Sequence, residues 1–275
     1  MLILYGELCI MNFFSYLCNV KHIGIIIISS LLVAVTGYAQ VRSTALQLGI
    51  GGANVLDTYL SPEKYRGMEW RVIAEVNRDS KNAHLAYSQT HEIAFGYLHN
   101  RALNGHEYVG HYDFSYAVMR KWDMIAGRYP LRLSVGPMLD AFVGFNYNSR
   151  NTNNNPAQGY GSVAMGGMGA ARYTFKAWGR ELTLGYELRF PLLGIRYSPN
   201  YGQSYYEIFG RGDYDHNICF YSVSPLQVRQ QVTADLRLKS GTALRIGYLS
   251  DVRQAKPNNL KQHHYYNALL LGVVF

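Results

Sequence analysis

Charge is scarce in this sequence. Asp, Glu, Lys and Arg make up only 16% of its 275 residues, against about 25% in an ordinary soluble protein, which leaves too little charge to coat a fully solvated exterior. Long apolar runs are missing too. Beyond the N-terminal region nothing approaches the ~20 residues a membrane helix needs, and mean hydropathy is −0.11, so a chain that meets lipid must do so with strands. Cys9 and Cys18 fall in the N-terminal region and Cys219 stands alone, which excludes an intramolecular disulfide and a cysteine metal centre from the remainder. Helical stripes are absent, and no linker divides the chain. Aromatic residues, by contrast, reach 14%, with 24 tyrosines. The net charge of +8 comes without a basic cluster, recognition-helix pattern or aromatic-basic RNA motif, which argues against a nucleic-acid partner. Contact with anionic lipid phosphates is the milder consequence.

The N-terminus carries the pattern of an export signal. Lys21 and His22 precede an apolar core from Ile23 to Val35, followed by Gly37-Tyr38-Ala39, a small-x-small cleavage signature. The expectation is a leader over residues 1–39, cleaved after Ala39, with Met11 as the alternative start because the residues before Lys21 fit the pattern poorly. No cysteine follows to accept lipid. Residues 40–275 then form one domain.

From Ser43 onward the dominant period is two, the side-chain period of a β-strand. Leu46, Leu48 and Ile50 alternate with Gln47 and Gly49; Met68, Trp70, Val72 and Ala74 alternate with Glu69, Arg71, Ile73 and Glu75. Eight further runs, around Phe95, Phe114, Leu133, Tyr173, Leu184, Leu236, Ile246 and Leu271, repeat the pattern. This predicts an all-β, closed, antiparallel up-and-down transmembrane barrel of about ten strands, with eight or twelve as alternatives. Connections near 51–66, 100–106, 146–161, 191–226 and 254–261 are long, and those near 78–83, 122–130, 177–180 and 239–241 are short, as outer loops and inner turns are. Pro137 cannot donate to a ladder and is expected to form a bulge in the fifth strand.

The two faces of these strands differ in chemistry. The face carrying Glu69, Arg71, Glu75, Glu92, Asp113, Arg132, Asp140, Arg172, Glu187, Arg189, Arg229, Asp235, Arg237 and Arg245 is balanced in sign and favours arginine over lysine, which suits paired, partly buried charges. That face is expected to line and largely plug a narrow lumen, with arginines such as Arg71, Arg132, Arg172 and Arg237 pairing with carboxylates of adjacent strands. The apolar face, with Trp70, Phe95, Phe114, Tyr116, Leu184, Tyr186, Leu236 and Ile246, is expected to meet lipid, and His91 falls on it.

The closing stretch, Tyr265, Leu269, Leu271, Val273 and the terminal Phe275, resembles the last strand by which Gram-negative outer-membrane proteins are recognised by the barrel-assembly machinery; Asn267 departs from its alternation. The mature chain, with Leu48-Gly49-Ile50-Gly51-Gly52, Thr90-His91-Glu92 and Tyr112-Asp113-Phe114, also resembles a family of small exported barrels described only as a domain of unknown function. The resemblance implies an outer-membrane location after export, with outer-membrane lipid and lipopolysaccharide and the assembly machinery as partners. It implies no activity.

Other motifs weigh less. Gly159-x-Gly161-x-x-Ala164 matches a dinucleotide fingerprint but leads into a strand, so no cofactor is expected. Arg211-Gly212-Asp213 spells an adhesion tripeptide, and Asp213, Asp215 and His216 lie on the longest outer loop; both read as loop chemistry, without a metal site. His111, Asp113 and Ser115 share one face of one strand and are too far apart for a compact triad. The reading is therefore a structural or binding barrel acting through its outer loops, more in keeping with a non-enzyme. A rim hydrolase of lipid, lipopolysaccharide or peptide and a narrow channel are the alternatives.

Overall fold

The computed structural model describes residues 40–80, 84–150 and 155–275. The leader and its cleavage site therefore lie outside the described residues. The chain separates into two units, residues 1–41 and 42–275, and the barrel is the second. Its strands are β1 (Gln40–Asp57), β2 (Lys64–Asp79), β3 (Leu85–Asn100), β4 (His106–Ala126), β5 (Tyr129–Asn148), β6 (Ala157–Ala177), β7 (Arg180–Tyr197), β8 (Ile218–Tyr221), β9 (Val228–Arg237), β10 (Ala243–Ala255) and β11 (Gln262–Val274). One helix, α1 (Tyr205–Arg211), sits in the β7–β8 connection.

Neighbours in sequence pair antiparallel from β1 to β7, β7 continues to β9, and β9 to β10 and β11. The circle closes where β11 pairs with β1, from Ala45↔Val274 to Asp57↔Gln262. The result is a ten-stranded barrel. The eighth barrel strand is split: β8 pairs with the outer part of β7 (Gly194↔Tyr221 to Tyr197↔Ile218), β9 pairs with its inner part, and residues 222–227 interrupt the two. A hydrogen-bonded partner for β8 on its β10 side is missing among the described residues.

Strands β1–β7 run 16–21 residues, whereas about 9–11 tilted residues cross a bilayer. They therefore continue past the membrane, and the connections are shorter than the hydropathy pattern suggests. Ala53–Asp57 and Asn146–Asn148 belong to strands, not loops. Alternation fades there because both faces meet water or polar loops.

At the inner end, Ala126–Tyr129 turns through Gly127 (φ 63°), and Ala177–Arg180 turns through Trp178 and Gly179 (φ 52° and 71°), the paired positive φ of a tight hairpin. Pro137 does not make a bulge. Pairing with β4 lapses between Met138↔Ala117 and Val135↔Arg120 and resumes in the same register, because a missing N–H removes a bond without adding a residue. The register shift falls instead between Met165 and Gly166 on β6, opposite Pro191 and Leu193 of β7, so Leu192 is the extra residue. A Cβ on Gly166 would lie 2.2 Å from the Phe190 carbonyl oxygen, and only glycine permits that approach.

Side-chain parity sorts inside from outside. Leu46, Leu48, Ile50, Trp70, Phe95, Tyr116, Leu184, Tyr186 and Ile246 are exposed large apolar groups, with Phe114 and Leu236 half-buried on the same face. A belt of this kind around a closed barrel is what lipid covers. His91 sits on that face but is buried, under Phe114 (ring centroids 5.1 Å) and hydrogen-bonded to the Tyr112 hydroxyl (2.7 Å). Inside, Ala53, Val55, Tyr65, Leu98 and Tyr266 pack towards the outer end, and Ala117, Met119, Met138 and Met168 pack on the β4–β6 side.

Candidate functional site: the lumen and its outer cap

Interior parity brings the charged residues of opposite walls together. Arg71 on β2 is fully buried. It donates from Nε to Glu69 (2.7 Å) and from Nη1 to Glu92 (2.7 Å) and Asp251 (2.6 Å), with its guanidinium 3.9 Å over the Tyr266 ring. Asp251 also accepts from Arg253 Nε (3.0 Å), and Arg253 reaches across to Asp113 on β4 (2.5 Å). Glu92 accepts from Arg229 Nη2 (2.6 Å), and Glu69 Oε2 lies 2.6 Å from His264 Nε2. Arg189 donates to Glu187 (2.7 Å), Ser115 (2.6 Å) and Thr90 (2.6 Å).

A second cluster lies nearer the inner end. Glu75 on β2 accepts from Arg172 on β6 (3.0 Å), Arg245 on β10 (3.2 Å) and Asn77 (2.6 Å), and Arg245 also holds Asp235 (2.6 Å). At the inner mouth Asp79 meets Lys121 (3.0 Å) and Arg132 (3.0 Å), and Arg132 also pairs with Asp123.

Two assignments change. Arg237 is not in the lumen network: its side chain is 57% exposed at the inner mouth, 3.5 Å from Glu181, because β9 ends there. Asp140 is buried and lines a cavity of about 20 Å³ with Arg189, Arg229 and Arg253, yet it makes no ion pair among the described residues. The pairs also reach farther than adjacent strands. Arg71 to Asp251 and Arg172 to Glu75 cross the lumen, since a barrel this narrow sets opposite walls within side-chain reach. Sequence reasoning missed Asp251, Arg253 and His264, although they continue the interior parity of Arg245 and Leu270 by three or four alternations.

The triad types stay apart. His111 meets Glu92 (3.4 Å), Asp113 meets Arg253, and Ser115 meets Arg189. On the outer loop Asp215 and His216 form a solvent-exposed contact of 3.2 Å, and no group suited to hold a metal occurs among the described residues. Arg211-Gly212-Asp213 is a helix end: Gly212 terminates α1 at φ 74°, and the Asp213 amide caps the Glu207 carbonyl (3.1 Å). Gly159 to Ala164 lies within β6.

Over the outer mouth the β7–β8 connection folds into a cap. The Tyr59 hydroxyl donates to the Gln203 carbonyl (2.6 Å), Tyr205 bonds the Gly159 backbone, and Ile208 of α1 is fully buried. Burial holds the Tyr59 and Tyr205 phenols well above the ordinary tyrosine range, so both keep their protons. Beneath the cap Asp57, Tyr160, Arg196, Arg253 and His264 surround a cavity of about 30 Å³, room for one or two waters.

A family model described as "Protein of unknown function (DUF3316)" matches residues 17–275. No curated protein matches the chain. Solved structures similar to it include the outer membrane protease OmpT of Escherichia coli (7% identity, 88% of this chain and 99% of that one, TM-score 0.49). The translocator domain of the autotransporter NalP of Neisseria meningitidis is also similar (9%, 95% and 97%, 0.41), as is an outer membrane channel of Pseudomonas putida F1 (10%, 86% and 97%, 0.31).

Proposed function

The chain belongs to the DUF3316 family, whose description assigns no activity, and from that premise we propose that it is a sealed outer-membrane barrel that binds its partners through its outer loops. The observation that carries this reading is the pairing of charges across the lumen, Arg71 with Asp251 and Arg172 with Glu75. An ion path would have to break such pairs, and leaving a buried charge unpaired costs about 3–5 kcal/mol. The cap anchored by Tyr59, Tyr205 and Ile208 adds a second closure. Planar-bilayer recording of the purified protein tests it: the expected trace has no steady openings, and sustained high-conductance openings would instead establish a channel.

A second reading, hydrolysis at the outer rim, rests on the His264–Glu69 contact bordering the capped cavity. Against it, Glu69 is fully buried and shared with Arg71, so its charge is already committed. Turnover of lipid or peptide that disappears in His264→Asn while stability is kept would favour the enzyme.

A further inference from the structure

We propose that the outer rim of β2–β4 is a docking row for the phosphate groups of a phosphorylated glycolipid in the surrounding outer leaflet; this rests on the outer-membrane reading above. Among the strand residues from Ser43 onward, the lipid-side positions hold no acid. Their cations are Lys64 and Arg66 at the outer ends and Arg78, Arg120 and Arg180 at the inner ends.

The outer pair does not stand alone. Register places Arg66 opposite His99 and His99 opposite His106, so three nitrogen-bearing side chains lie in one row on the lipid side, about 4.8 Å apart from strand to strand. The row one step inward is Met68, Tyr97, Tyr108 and Tyr147, again in register. Its rings touch: Tyr97 and Tyr108 lie 5.2 Å apart and Tyr108 and Tyr147 6.3 Å.

Contiguous exposed tyrosines of this kind mark the boundary between hydrocarbon and headgroups. The next residue outward on each strand then sits at headgroup depth, where phosphates are. Lys64 and Arg66 are exposed there. His106 is held at Nδ1 by the Tyr97 hydroxyl (2.7 Å); in the tautomer where that hydroxyl donates, the Nε2–H is left for an acceptor. Glu63, the nearest acid in sequence, is occupied by Asn100 (2.6 Å) and Arg150 (3.0 Å) and does not neutralise the row. On the opposite wall the outer lipid-side positions of β7 and β8 are Ile195, Tyr197, Ile218 and Phe220, the last 87% exposed, and carry no cation, so the phosphate contact is confined to one side of the barrel. Because the row is on the lipid-side parity directly above the tyrosines, its partner is a membrane lipid, not a solute.

The test uses the full barrel purified in mild detergent, with diphosphorylated lipid A and the same lipid after phosphatase treatment as probes and native mass spectrometry as the readout. Each cation removed should weaken lipid A retention about fivefold, so Lys64→Gln with Arg66→Gln should lower it about 25-fold. Arg66→Lys should retain most of the binding, and Arg120→Gln at the inner rim should leave it unchanged. Equal retention of the dephosphorylated lipid would overturn the proposal, as would an Arg120→Gln loss matching that of Arg66→Gln. Bilayer insertion of each variant is measured alongside: a wild-type barrel that will not insert removes the outer-membrane reading itself, whereas normal insertion with unaltered lipid retention removes only the row.

Discussion

Arg71 serves three carboxylates from a position without water, and its loss would leave Glu69, Glu92 and Asp251 competing for what remains. Arg71→Met is therefore expected to cost about 3–5 kcal/mol, read as a shift in the urea midpoint of the barrel folded into lipid vesicles. Lysine cannot replace the planar fork that reaches three acceptors, so Arg71→Lys should lie near Arg71→Met and far from wild type. The two buried aspartates of β4 and β5 make an internal comparison. Asp113 is bound by Arg253 at 2.5 Å, whereas Asp140 has no ion pair among the described residues. Asp113→Asn should destabilise the barrel more than Asp140→Asn in the same unfolding assay, and equal costs would show that the Arg253 contact contributes little. At the surface of the cap, Glu207 accepts from the Ser204 backbone and hydroxyl, which hold its carboxyl below the usual range. A carboxylate with a depressed folded pKa contributes above its unfolded value, about 4.3, and the contribution fades as pH falls through the lower folded value. Acidification below about pH 4 should thus release the Ser204–Glu207 capping box, seen as faster amide exchange at Ile208, and Glu207→Gln should lose that pH dependence.

Among the elements, the split eighth strand is the one that departs from regular pairing. Residues 222–227 make no backbone–backbone hydrogen bond of their own among the described residues, and β8 is bonded on one side only. Hydrogen-exchange mass spectrometry is expected to label residues 218–227 well before β9, whose two neighbours hold it from Val228 to Arg237; uniform protection across the two would contradict the break. The sequence pattern made the membrane-crossing parts of the strands legible because lipid on one side and charge on the other keep period two. It did not make the extensions legible: Glu107, Asn146 and Asn148 are interior rim residues whose polar neighbours conceal the alternation. Arg253 and His264 were missed for that reason, lying just beyond the last clear apolar residues of β10 and β11. The shift at Leu192 was hidden as well, since Pro191 and Pro137 look alike in sequence and only the partner strand decides which one gains a residue.

At the scale of the whole molecule, the apolar belt defines how deep the barrel sits. Phe114→Arg is expected to cost about 2–4 kcal/mol if that ring lies near the bilayer midplane and less near an interface, and a scan of arginine along Phe95, Phe114 and Tyr116 would map the depth by unfolding in vesicles. Cost that does not vary along such a scan would argue against a lipid-facing wall. The closure of the barrel has a further consequence, in time. The seam joins β1 to β11, with Ala45 bonded opposite Val274, so the first strand synthesised waits for the last. Every earlier intermediate has two open edges, and contacts separated by nearly the whole chain form slowly. Loss of β11 would accordingly leave no smaller barrel behind, only an unsealed ribbon, and the earliest moment at which the wall can become a ring is the one at which β11 reaches β1.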